Sequence, residues 1–257
     1  MEIISAWLFA FPFESFVDHD NCVTAFIPKD EAHKIDLTDC LDIPFDGVEV
    51  SATYENIEAQ NWNAVWEAQF KPIVVSEWTI RASFHKPATT KHELIIDPQM
   101  SFGTGHHATT QLMLEQILKL NCKGASVLDV GTGTGVLAIL AKKLGAAAVS
   151  GIDIKDWCVE NAKENASKNG VSDISFSTNT LDLFYTKFDT LIANINRNVL
   201  LEHLPEYPKM LAKNGVLLLS GFHERDVAML CDVANANGLH FDSRTEKQGW
   251  ICLKFII

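Results

Sequence analysis

The 257-residue sequence predicts an α/β fold: a mostly parallel sheet of seven strands that ends in an antiparallel hairpin, preceded by a small α+β region. Three observations predict it. From Ala125 onward, short apolar runs rich in β-branched residues alternate with helix-forming stretches, the pattern of parallel strands joined by crossover helices. The run that ends at Val130 passes directly into Gly131-Thr132-Gly133-Thr134-Gly135. The last two strand-like runs lie too close together for a crossover and read as a hairpin.

In chain order, residues 3–9 read as a helix, and 22–28 and 48–53 as strands around a polar, helical stretch near 30–42. Residues 61–70 read as an amphipathic connector helix. Trp62 and Trp66 share one face of it, where they either pack between domains or meet a substrate. This divides the chain into a small α+β domain at 1–56, a linker with a helix at 57–85 and a main domain at 86–257. In the main domain, Ser126–Val130, Ala148–Ile152, 174–177, 190–194 and 216–220 are the expected parallel strands. Good helix formers fill 156–168, and Asn169-Gly170 supplies the stop. Residues 239–244 and 250–256 form the expected hairpin around 245–249.

Hydrophobic residues make up 47% and charged residues 21% of the chain, enough apolar surface for a substantial core. The net charge of -12 repels a phosphate backbone, so no direct nucleic-acid specificity is expected and a basic partner is favoured. Cys22, Cys40, Cys122, Cys158, Cys231 and Cys252 form no CxxC pair, which argues against a zinc site or a disulfide framework. The apolar stretch at 3–13 lacks a basic flank, and Pro12 and Glu14 bound it. No run reaches the roughly 20 residues of a membrane span. A cytoplasmic monomer without a membrane partner is the expectation.

The glycine loop carries the chemistry. Strand, glycine turn and the apolar helical stretch from Val136 follow in order, an arrangement in which a ligand can approach bare backbone at a helix start. Dinucleotide-binding turns space their glycines GxGxxG, but here Gly135 comes one residue early and Val136 takes the third position. Asp153 ends the next strand about 20 residues on, where a carboxylate can accept hydrogen bonds from both hydroxyls of a ribose. Asp182, after the third strand, could approach an adenine amine. The early third glycine resembles motif I of methyltransferases that use S-adenosylmethionine (SAM), and the hairpin ending resembles the seven-stranded sheet of their class I.

Two further segments narrow the resemblance: Phe102-Gly103-Thr104-Gly105-His106-His107-Ala108-Thr109-Thr110, and Ala193-Asn194-Ile195-Asn196. Together with VLDVGTGTG and GIDI, they resemble the methyltransferases of large-subunit ribosomal protein eleven. The likeness runs from Phe13-Glu14-Ser15-Phe16, through the linker around Trp62 and Trp66, to the final hairpin. It implies a small ferredoxin-like recognition domain, a linker, a class I domain with SAM as cofactor, and a basic ribosomal protein as partner, methylated on lysine side chains and its terminal amine. Carried over by position, the implied cofactor contacts are Thr110, Gly131, Asp153 and Asn194, with Asn194 also orienting the incoming amine; Thr132 and Gly133 of the glycine loop are expected to bind the cofactor beside them. No metal ligand is implied.

Departures from the family sharpen these expectations. The aligned histidine is His107, flanked by His106 and Ala108 where the family usually has Thr and Pro. His107 could accept a proton or order the loop through a hydrogen bond. After Asn194-Ile195 the family commonly continues with small or apolar residues, and Asn196-Arg197-Asn198 stand here instead. Residues 3–9 correspond to the recognition domain's first helix rather than its first strand, so an incomplete sheet, or an edge supplied by a partner, is expected. Methyltransferases of glutamine or adenine amines carry an Asn-Pro-Pro-Tyr-like stretch after the fourth strand, which Asn194-Ile195-Asn196-Arg197 does not match. An inactive SAM-binding module and a nicotinamide oxidoreductase are the other readings.

Overall fold

The computed structural model describes residues 2–44, 49–57, 70–178 and 186–257. The chain divides into two compact units, Met1–Asn63 and Ala64–Ile257.

In the first unit, the helix expected at 3–9 is α1 (Glu2–Leu8), followed by β1 (Ser15–Asp18) and β2 (Val23–Phe26) paired as an antiparallel hairpin. A 3-10 turn at Ala32–Lys34 and α2 (Leu37–Leu41) fill the polar stretch. Asp36 caps α2 by accepting from the Thr38 N–H at 2.9 Å, and this bond holds its carboxyl below the usual range. Ser5 Oγ donates to Asp18 Oδ1 at 2.6 Å and Trp7 Nε1 to the Cys40 carbonyl at 3.0 Å, which fastens α1 to the hairpin and to α2.

Two expectations change here. Ser15–Asp18 is a strand that the sequence pattern did not single out, and the expected strand at 48–53 does not form over its described part, 49–53. Those residues are mostly exposed and have no partner strand among the described residues, and β-propensity without a ladder leaves the chain hydrated. The connector helix with Trp62 and Trp66, and Asp182, lie outside the described residues.

The second unit opens with a three-stranded sheet, β3 (Ile73–Val75), β4 (Trp78–Arg81) and β5 (His92–Ile95), antiparallel and then parallel. It spans the boundary drawn at 85/86 between linker and main domain. Val75, Trp78, Ile80 and Leu94 join the main core beside Met113 and Ile117. Buried Arg81 forks onto the Glu93 carboxylate at 2.8 and 3.0 Å, and this pairing draws the Glu93 carboxyl below its ordinary range.

The main sheet follows α3 (Ala108–Ile117). Its elements are β6 (Ser126–Val130), α4 (Val136–Lys143), β7 (Ala148–Ile152), α5 (Asp156–Lys168), β8 (Ser175–Ser177), β9 (Phe188–Asn194), α6 (Arg197–His203), α7 (Tyr207–Met210), β10 (Leu211–His223), α8 (Glu224–Ala236), β11 (His240–Lys247) and β12 (Trp250–Ile256). The strand order is β11-β12-β10-β9-β6-β7-β8, with β12 antiparallel to both neighbours and the other pairs parallel. Alternation along each strand deals residues to two layers. Val127, Ile192 and Leu218 pack with α3, α4 and α5, while Leu128, Leu191, Leu217 and Phe255 pack with α6, α7 and α8.

This order positions the site. After β6 the chain builds outward to β8 on one side, then returns to lay β9 against the other side of β6. Val130 pairs with Ala193, so Gly131 and Asn194 leave the sheet side by side at this reversal. Open α/β sheets bind their ligands beyond the carboxyl ends of such strands.

Candidate functional site

The glycine loop is folded around contacts that exclude side chains. Gly131, Gly133 and Gly135 have φ of 74°, 53° and 81°. A Cβ on Gly131 would lie 2.2 Å from Ile195 Cγ2, and one on Gly133 would lie 2.2 Å from the Phe102 carbonyl oxygen. That carbonyl accepts the Thr134 N–H at 2.9 Å, and Thr134 Oγ1 donates to the Gly103 carbonyl at 2.7 Å. The FGTG segment is therefore stapled onto the loop. Gly135 caps α4 in the left-handed conformation, and an added Cβ would meet Ala162 at 3.0 Å. The early third glycine serves this close packing of α4 against α5.

Asp153 stands just past β7 and faces the loop. Its Oδ2 accepts from the Gly133 N–H at 3.0 Å and its Oδ1 from the Lys155 N–H at 3.1 Å, which fixes the carboxylate and leaves each oxygen spare acceptor capacity. Thr132 turns inward: its hydroxyl donates at 2.8 Å to Asp129, which is 1% exposed. Burial pushes the Asp129 carboxyl up to about 7.

Asn194 ends β9 and is buried. Its Nδ2 reaches Thr110 Oγ1 of α3 at 3.5 Å, while its Oδ1 has no partner among the described residues. A buried amide oxygen left this way costs about 1–3 kcal/mol, which a donor on a bound ligand would offset. Thr110 is fully buried. Five of the six residues expected to hold a cofactor thus gather at the reversal between β6 and β9, in two groups: Gly131 and Gly133, whose N–H groups bond Ile152 and Asp153, with an Asp153 carboxylate that keeps spare acceptor capacity, and Thr110 with Asn194. Thr132 supports the loop from beneath.

The histidines take structural positions. His107 caps α3, its Nδ1 lying 3.3 Å from the Thr109 N–H and 2.7 Å from Thr109 Oγ1. His106 Nε2 sits 2.9 Å from the Lys71 carbonyl, and its ring lies 4.2 Å from that of Phe70. Among the described residues there is no group of three or more His, Cys, Asp or Glu placed to hold a metal. Sequence reasoning missed an aromatic row: Phe102 to His107 at 5.3 Å, His107 to Trp250 at 4.7 Å, Trp250 to His223 at 3.9 Å. Trp250 and His223 face each other across the β10–β12 pairing, and no local signal marks that meeting.

A sheet in this order, with a glycine turn after its first strand, a carboxylate after its second and a terminal antiparallel hairpin, is the fold of the class I SAM-dependent methyltransferases. A methyltransferase from Pyrococcus furiosus shares it at a TM-score of 0.54 and 18% identity, over 63% of this chain and 88% of that one. A ribosomal protein L11 methylase from Lactobacillus delbrueckii subsp. bulgaricus matches at a TM-score of 0.66 and 32% identity, over 72% of this chain and 97% of that one. The profile of the ribosomal protein L11 methyltransferase family (PrmA) matches residues 9–256. The L11 methyltransferase of Porphyromonas gingivalis is 41% identical over 99% of this chain and 90% of its own length, and that of Phocaeicola vulgatus 37% over 100% and 93%. The chain belongs to the ribosomal protein L11 methyltransferase family.

The residues present fit SAM, the family's methyl donor. Asp153 offers oxygens to a ribose, the loop offers bare backbone, and the unpartnered Asn194 Oδ1 asks for a donor such as an ammonium.

Proposed function

We propose that this protein transfers methyl groups from SAM to amines of ribosomal protein L11, on lysine side chains, the N-terminus or both. The observation that carries the reading is Asn194, buried at the sheet reversal, with its amide tied to Thr110 and its carbonyl oxygen unpartnered. Thr110, Gly131, Gly133, Asp153 and Asn194 hold the cofactor, with Thr132 bracing the loop, and Asn194 also orients the incoming amine. The described N-terminal residues belong to the part that recognises the basic substrate. Cytoplasmic residence and a monomeric state complete the proposal; among the described residues no helix is long and apolar enough to cross a membrane.

Bound SAM supplies an activated methyl group on a sulfonium, so the chain contributes alignment and exclusion of water. The nucleophile is the harder part. A lysine amine has a pKa near 10.4, and presenting it neutral at pH 7 costs about 4.6 kcal/mol; a terminal amine costs about 1 to 1.4 kcal/mol. The acidic surface draws in a basic substrate yet favours its protonated form. The rings of Phe102, His107 and Trp250 oppose that by desolvating the approach to Thr110 and Asn194. His107 Nδ1 is engaged at the start of α3, so the amine loses its proton to solvent before transfer rather than to this nitrogen.

Tritiated SAM offered with ribosomal protein L11, a release factor and DNA in separate reactions tests this. Label in L11 alone supports the reading; SAM binding by calorimetry with no label in any of them would leave an inactive binding module.

A further inference from the structure

At the same end of the sheet, an open groove of about 420 Å³ lies between the start of α6 and the turn from β10 into α8. Phe222 and Trp250 give it apolar walls, and Asn196, Arg197, Asn198 and Arg225 give it a polar rim. The rim begins two residues after Asn194, so an occupant of the groove sits beside the amine-binding position.

The charges there are unbalanced. Arg197 Nη1 lies 3.6 Å from Asp226 Oδ1, a contact beyond hydrogen-bond length, while Asp226 Oδ2 accepts the His223 N–H at 3.3 Å. Arg225 is exposed and has no partner among the described residues. Only Arg197 approaches the Asp226 carboxylate, which is already engaged, and Arg225 faces none among the described residues, so the rim carries a local positive excess on a chain of net charge -12. The guanidinium fork matches a planar carboxylate through paired hydrogen bonds. A nucleic-acid backbone would bring many phosphates against the negative charge of the rest of the chain, so an isolated carboxylate on a basic protein is the better fit.

We propose that Arg197 and Arg225 bind an Asp or Glu side chain of the protein substrate that lies next to the target amine, and so determine which amine is methylated. This rests on the methyl-transfer reading above.

The test is a mutant cycle across the interface. Methylation of L11 is followed for wild type, R197A, R225A, R225K and K213A; Lys213 is an exposed cation near the start of β10 that controls for loss of charge. SAM affinity and thermal unfolding report whether each variant folds. KM for L11 is expected to rise about tenfold in R197A and R225A, the size of one exposed charge-assisted hydrogen bond, with partial recovery in R225K and none of the loss in K213A. Each Asp and Glu of L11 is then replaced singly by Asn or Gln. One such substrate should lose about tenfold with the wild type and lose nothing further with R225A. Unchanged KM in both arginine-to-alanine variants, or no acidic position that couples to Arg225, overturns the proposal. So does competition by an RNA fragment that depends on Arg225, since the groove would then select phosphate. Absence of any transfer to L11 by the wild type, with SAM bound, instead defeats the methyl-transfer reading itself.

Discussion

Asn194 and Thr110 approach to 3.5 Å across the reversal between β9 and β6, joining the end of a strand to the first turn of α3. Replacing Asn194 by alanine removes both the orienting amide and the unpartnered oxygen. Turnover is expected to fall about 100-fold, the scale of losing a positioned polar group at a reacting centre. Thr110→Val keeps the shape and removes the hydroxyl, and should weaken SAM binding by about tenfold. Steady-state kinetics with calorimetry separates the two, and wild-type turnover in N194A would remove that residue from the chemistry.

Glycine substitutions should divide by what their Cβ meets. Gly133→Ala places a methyl group 2.2 Å from the Phe102 carbonyl at a φ of 53°, which forces the FGTG segment off the loop. A loss of about 3 kcal/mol in stability, with SAM binding abolished, is expected. Gly124→Ala has a similar φ of 76° but open space around its Cβ, and should cost only about 1 kcal/mol. Denaturation midpoints and calorimetry check the contrast; equal effects would mean that strain alone, without the Phe102 contact, governs both.

Asp153 grips the loop through the Gly133 N–H at 3.0 Å, so its removal acts twice. Asp153→Ala should reduce SAM affinity by at least about 100-fold, while Asp153→Asn, which retains one acceptor oxygen, should lose about tenfold. Titration calorimetry reads both. Equal affinities for the two variants would deny the carboxylate any part in holding a ribose.

Asp129 gives stability a pH dependence. Its carboxyl titrates at about 7 in the folded chain because burial disfavours the anion, against about 3.9 when unfolded. The unfolded chain therefore releases this proton first as pH rises. The group's contribution is fully present below about pH 4, declines through the interval and is lost above about pH 7, by roughly 4 kcal/mol in all. Asp129→Asn keeps an acceptor for the Thr132 hydroxyl and removes the titration. Urea midpoints near pH 5 and pH 8 should differ more for wild type than for D129N, and equal slopes would contradict this assignment.

What could be read in advance follows from how local each signal is. β6 and β7 form over the residues expected, Ser126–Val130 and Ala148–Ile152, because apolar runs bounded by glycine turns carry their own limits. The hairpin of β11 and β12 was legible from its short connection. The strands β3 to β5 were not, since three or four residues show no periodicity and β4 pairs with β5 only after a long excursion. β10 runs from Leu211, well before the apolar stretch at 216–220, because its early pairing with Phe188 depends on β9 rather than on its own composition. At the site, the glycines and Asp153 declared themselves through spacing, but the Phe102 carbonyl over Gly133 and the Trp250–His223 contact depend on pairing between distant segments.

The most direct measurement is the intact mass, with fragmentation, of ribosomal protein L11 after incubation with this protein and SAM. The expected result is mass increments of whole methyl groups on lysine side chains, the terminal amine or both, absent without SAM and nearly absent with N194A. An unchanged L11 mass in the presence of wild-type protein that binds SAM would contradict the proposed function.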